Sequence, residues 1–281
     1  MMTFLPVVGI GGYAGFRVLE KTAPRQQSAL ERTPQIQRNI EYFRENIGKA
    51  LTAEALVQDR RLLTVALGAF GLGEEIDKRA FIRKVLESST EDSRSLVNRL
   101  SDNRYRSLAK AFAYGDGVGA VQVQLPTFVE DVIARYKTQE FERAVGEADP
   151  DFRLALTFKR EIAEIAAGGK NDRVMWLQAL GRLPVRRFLE TALAMPKGVS
   201  QIDLDKQVEL FQNRARQLFG EKSVAALAEP ETLEKVIQRF FLFRQIEAGP
   251  SLTTPAGVAL TLLQNNGLGG VGGANLLLSQ A

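Results

Sequence analysis

Apolar residues recur at intervals of three and four along nearly all of this chain, and they alternate at every second position over no useful length. A spacing of three and four places apolar side chains on one stripe of a helix, whereas alternation would line one face of a strand. The pattern is densest between Asp59 and Tyr114. Leu62, Leu63, Ala66, Leu67 and Phe70 form one stripe, and Phe81, Ile82, Val85 and Leu86 form a second beyond a turn carrying Gly71 and Gly73. Asp102 reads as the N-cap of a third stretch with Tyr105, Leu108, Ala109 and Phe112. The fold class that follows is all-α and multi-helical.

Cap residues divide the rest. Thr33 with Pro34 opens a helix carrying Ile36, Ile40, Phe43 and Ile47 and ending at Gly48, and Thr52 caps the next. Thr127 with Glu130 reads as a capping box, after a loose segment GDGVGAVQVQLP in which Val121 to Leu125 reads as extended. Further starts fall at Asp149, Asp172, Pro184, Asp203 and Pro230, with a stop at Gly220. The expected organisation is a glycine- and polar-rich N-terminal arm over 1–33, a helical repeat over 34–120 and a linker helix over 121–148. A second repeat over 149–249 and a C-terminal helix with glycine-rich tail over 250–281 complete it.

The two repeats are expected to be an internal duplication of a small helical unit. Arg60-Arg61-Leu62-Leu63 corresponds to Arg186-Arg187-Phe188-Leu189 at an offset of 126 positions. Ile76-Asp77-Lys78 pairs with Leu204-Asp205-Lys206, and Phe112 with Phe240. Phe43 and Ile47 pair with Phe158 and Ile162 at a smaller offset, which an insertion between Gly168 and Pro184 would explain.

The 281 residues contain neither cysteine nor histidine. Disulfides, thiolate or imidazole metal sites and imidazole-based triads are thereby excluded. Lys and Arg exceed Asp and Glu by only four charges, and the pairs Arg60-Arg61, Arg83-Lys84 and Arg186-Arg187 lie among acidic residues. They read as solvated helix faces, so no nucleic-acid partner is expected. The carboxylate pairs Glu74-Glu75, Glu91-Asp92, Asp149 with Asp151 and Asp203 with Asp205 sit at helix starts, where negative charge serves free amides, so neither metal nor catalytic residues are assigned.

Gly9, Gly11 and Ala14 match a dinucleotide-binding turn, but the polar, proline-broken sequence after them lacks the required second strand. GLGGVGG near the C-terminus lacks the Lys and Ser or Thr of a phosphate loop, so no cofactor is expected. MMTFLPVVG has no basic residue ahead of its apolar stretch and does not read as a cleavable signal peptide, and no stretch is long enough for a membrane span.

The run AFGLGEEIDKRAFIRKVLE (69–87), followed by NRLSDNRYRSLAKAF (98–112), resembles the bacterial family of domain of unknown function 1217, and the likeness extends over most of the chain from GGYAGFRVLEKT onward. Members of this kind are encoded near flagellar genes in alphaproteobacteria. The resemblance implies a non-enzymatic structural or interaction protein of the bacterial cytoplasm or flagellum, and it carries over no catalytic residues. Other proteins, including flagellar components, and self-association are the expected partnerships. Phe4, Phe16, Leu276, Leu277 and Leu278, apolar residues in glycine-bearing terminal segments, are the expected partner-binding residues. The alternative is an enzyme or nucleic-acid-binding protein whose site the sequence does not reveal.

Overall fold

The computed structural model describes residues 6–169 and 171–248, and among them every regular element is helical. The helices are α1 (Gly12–Glu31), α2 (Pro34–Asn46), α3 (Ala53–Gln58), α4 (Arg60–Ala69), α5 (Arg79–Leu86), α6 (Leu96–Arg99), α7 (Asn103–Phe112) and α8 (Gly119–Gln122). They continue as α9 (Pro126–Ala148), α10 (Pro150–Ala167), α11 (Asp172–Leu180), α12 (Leu183–Ala192), α13 (Leu204–Phe219), α14 (Val224–Ala228) and α15 (Pro230–Ala248). Short 3₁₀ turns occupy Ile47–Lys49, Gly73–Glu75 and Val199–Gln201.

Several starts are set by side chains that take up free amides. Asp59 accepts from the N–H of Arg61 and Leu62 at 2.9 and 3.0 Å, and Asp149 accepts from Asp151 and Phe152 at 2.9 and 3.1 Å. Asp203 does the same for Asp205 and Lys206. The expected start at Thr127 differs. Proline at its first position opens α9 without a side-chain cap, and Glu130 pairs with Arg44 at 2.8 Å instead of closing a capping box with Thr127. Of the piece expected to be extended, Val121 and Gln122 end α8, Val123 and Gln124 form a turn, and only Leu125 is extended.

The N-terminal segment corrects a larger expectation. From Gly12 onward it is not an arm but a 20-residue helix, packed on α15, α9 and α2. Phe16, Leu19 and Leu30 lie on its buried stripe, and Phe16 meets Phe241 and Phe152 at centroid distances of 5.2 and 5.9 Å. Helix-poor residues, Pro24 among them, mask a stripe that tertiary packing stabilises.

At the centre, α9 lies against both α4 and α10 and also touches α1 and α2, so the segment expected to link the repeats is core to both. Tyr136 of α9 is buried and its hydroxyl accepts from Asn39 Nδ2 at 3.0 Å. In the second half Phe158, Phe188 and Phe240 stack at 3.9 and 4.2 Å, and Trp176 is enclosed with its indole N–H donating to the Lys222 carbonyl at 2.8 Å.

The halves do share pairings: α2 on α4, α3 on α4 and on α5, and α9 on α4 and α2 are matched by α10 on α12, α11 on α12 and on α13, and α15 on α12 and α10. The register differs from the expected one. Both α4 and α12 end in the hydrogen-bond pair of a Schellman closure, Gly71 to Gly68 with Leu72 to Leu67, and Ala194 to Thr191 with Met195 to Glu190. Gly71 and Ala194 are both left-handed, with φ of 68° and 49°. These closures, like the helix starts at Arg60 and Leu183, lie 123 positions apart rather than 126. Leu62, Val65, Ala66 and Ala69 then fall on Val185, Phe188, Leu189 and Ala192, all buried. A three-residue slip is nearly a full turn, so the apolar stripes match almost as well in the wrong register. By packing, the counterpart of α15 is α9 rather than α7, and α11 occupies the supposed insertion as the counterpart of α3.

A Cβ at Gly68 would fall 2.8 Å from two ring carbons of Tyr136, whereas one at Gly73 would meet nothing within 4 Å. Gly68→Ala is therefore expected to destabilise the protein by about 1 to 3 kcal/mol in a denaturant titration, while Gly73→Ala stays within about 0.5 kcal/mol of wild type.

Candidate functional site

Of the residues expected to bind partners, Phe16 is fully buried between α15 and α10 and presents no surface. Phe4, Leu276, Leu277 and Leu278 lie outside the described residues. The carboxylate pairs act locally: Asp149 and Asp203 cap helices, Asp151 pairs with Arg244 at 2.9 Å and Asp205 with Arg173 at 2.5 Å. Among the described residues no three acidic side chains converge as metal ligands, and Gly9 and Gly11 are followed by the helices α1 and α2 with no strand between or after them, which a dinucleotide turn would require.

Three features remain. The first is a charged cluster where the halves meet, which no periodicity could reveal because its members come from different helices. Arg160 of α10 grips Glu142 of α9 through Nε and Nη2 at 2.7 and 3.1 Å, and the Thr157 hydroxyl donates to the same carboxylate at 2.8 Å. The Glu142 side chain is only 5% exposed. Burial opposes the charge on Arg160, but hydrogen bonding and attraction from Glu142, with Glu161 and Glu164 beyond, outweigh it and hold the guanidinium above its ordinary value. Burial raises the Glu161 carboxyl above its ordinary value, opposed in part by Arg160 and Arg182, and Glu161 Oε2 has no hydrogen-bond partner. The adjoining void, about 70 Å³, is too small for a substrate.

The second feature is an open groove of about 640 Å³ between the start of α10, the end of α12 with the loop after it, and the end of α15. Asp151 and Arg244 pair across it, Phe243 faces it, and Arg187 and Lys197 on its lining have no ionic partner among the described residues. The third is a set of exposed apolar residues where the start of α1 meets the end of α15. Gly12, where a Cβ would lie 2.3 Å from Gln245 Nε2, brings the start of α1 against the end of α15. Beside that contact Ile10 is 69% exposed, and Leu242 and Ile246 are 51% and 63% exposed, whereas Val7, 71% exposed, lies further along the flank of α1 with its N–H donating to Gln26 Oε1 at 2.7 Å. No helix among the described residues is long and apolar enough to cross a membrane.

Residues 69–233 match the model of the family described as protein of unknown function (DUF1217), a span that holds α5 to α14 and the charged cluster. The chain belongs to the DUF1217 family. A crystal structure of protein AGR_C_984 from Agrobacterium tumefaciens is similar at 27% identity, covering 87% of this chain and 100% of that one, with a TM-score of 0.67. No curated protein matches. The exposed residues Val7, Ile10, Leu242 and Ile246 lie outside the span shared with the DUF1217 model, whereas Glu142, Arg160 and Glu161 lie within it.

Arg160→Met is expected to destabilise the fold by about 3 to 5 kcal/mol, because it leaves Glu142 charged and buried without its cation. Adding Glu142→Gln should recover part of that loss, read by chemical denaturation. A carboxyl whose native pKa is raised contributes its stability below the unfolded value of about 4.3, and the contribution is lost as pH rises through the native value. Glu161→Gln stays neutral, so it is expected to melt above wild type at about pH 8 and to converge with it near pH 4.

Proposed function

We propose that this protein is a non-enzymatic interaction protein whose α1–α15 end docks on another protein. What supports the reading is the set of exposed apolar residues Ile10, Leu242 and Ile246 beside the Gly12–Gln245 contact. Exposed apolar residues gathered at one place gain free energy when covered, and docked surfaces are built around such centres. The mixed charge elsewhere, with most acidic residues engaged in caps and ion pairs, fits a solvated scaffold better than a polyanion-binding face. That the partner is a flagellar component, met in the cytoplasm or at the flagellum, follows from the resemblance to family members encoded beside flagellar genes.

The full chain carrying Leu242→Glu and Ile246→Glu should lose most of its capture of partners from flagellated cells. Both positions are exposed, so its melting temperature should stay close to wild type. Unchanged capture by the double variant would sink the assignment of this surface, and steeply salt-dependent nucleic-acid binding would favour the alternative.

A further inference from the structure

Helices α9 and α15, matched by their packing, are also matched in sequence. Both open with proline, and Val129, Glu130, Val132, Ile133 and Tyr136 of α9 fall on Leu233, Glu234, Val236, Ile237 and Phe240 of α15, 104 positions on. At their other ends Phe141, Glu147, Ala148 and Pro150 fall on Phe241, Glu247, Ala248 and Pro250, 100 positions on. The helices have 23 and 19 residues, and the four missing from α15, about one turn, leave both ends in phase. Pro150 is the first residue of α10, as Pro34 is of α2 after Glu31 at the end of α1. The Glu-x-x-Pro that ends α15 is thus a third copy of a junction that twice starts a helix.

α10 turns back along α9 and covers its last two turns. Thr157 and Arg160 hold Glu142, and Arg153 lies over Gly146, where an added Cβ would stand 3.0 Å from the Arg153 Cβ. The covered positions 142 and 146 fall on Leu242 and Ile246 of α15, which are exposed.

Residues 249–281 lie outside the described ones, and they contain no Asp, Glu, Lys or Arg. In the 100-position register the buried Phe152, Phe158 and Ile162 of α10 fall on Leu252, Val258 and Leu262, so the apolar stripe is kept. The residues that reach α9 change together with what they cover. Arg160 on Glu142 becomes Leu260 on Leu242, an apolar pair in place of an ion pair, and the long Arg153 over Gly146 becomes the smaller Thr253 over Ile246. Either partner changed alone would leave a charge unpaired or overfill the contact, whereas the paired exchange preserves it.

We infer that residues 250–264 of this chain dock on the last two turns of α15, over Leu242 and Ile246, as α10 docks on α9. Resting on the reading of that face as a docking surface, this contact adds its regulation: the segment closes the face in the free chain, and another protein docks by displacing it.

Because the chain has no cysteine, paired substitutions test the contact in the full protein. Leu242→Cys with Leu260→Cys should oxidise within one chain at least about tenfold faster than Leu242→Cys with Ala259→Cys, since position 259 matches the exposed Lys159. Oxidised, the first pair should capture little from flagellated cells, and reduction should restore its capture. Equal rates for the two pairs, or disulfides formed mainly between chains, would overturn the inference. A 242–260 disulfide that forms within one chain yet leaves capture unchanged would reject the docking surface proposed above while upholding the contact of residues 250–264 with α15.

Discussion

The Glu142 carboxylate, withdrawn from water and held by Arg160 and Thr157, fixes how α9 lies against α10. An ion pair in this setting adds little net stability over an apolar pair of the same shape, yet either charge left alone is costly. It therefore acts chiefly on orientation. Only when both nitrogens of Arg160 reach both oxygens of Glu142 is the burial compensated, and that condition ties the α9–α10 crossing to one geometry. The apolar contacts around it, Tyr136 under Gly68 on one side and the stacked Phe158, Phe188 and Phe240 on the other, supply the free energy that the charges do not.

The other acidic residues are likewise occupied locally. Acidic residues that could have gathered into a site are spread among helix starts and ion pairs. Asp149 and Asp203 hold backbone amides, Asp151 reaches Arg244, and Asp116 receives Ser89 and Thr90 in the loop before α6. Burial works against ionisation of Asp116, but those hydrogen bonds dominate and hold its carboxyl below the ordinary range. The exposed apolar residues where α1 meets α15 and the open groove by α12 are what the core leaves uncovered.

The helical class was legible because a stripe at three-and-four spacing, a capping Asp and a following proline are local facts. Asp102, Asp149 and Asp203 cap where the sequence indicates, whereas Asp59, which caps α4, is not singled out. What escaped is whatever depends on a partner helix. The same periodicity that reveals α4 and α12 hides their true register, since one turn of slip preserves the stripe, and only the left-handed turns at Gly71 and Ala194 settle it. α1 was hidden by Gly11, Gly12, Gly15 and Pro24, residues poor in helix propensity, because the stabilising term is the burial of Phe16 and Leu19 on other helices. Glu142 and Arg160 gave no sign at all: as isolated residues they look like any solvated pair, and only the approach of α9 to α10 takes them out of water.

The position of α9 also governs how the molecule can come apart. It closes the first half as α15 closes the second, and along its other side it supports α10. A helix that belongs to both cores cannot be released by one alone, so opening either half exposes apolar surface of the other. The repeats therefore do not behave as beads on a string. Amides of α4, α9 and α10 are expected to exchange as a single cooperative unit, while the short α6 and α8, outside that shared packing, are expected to open on their own.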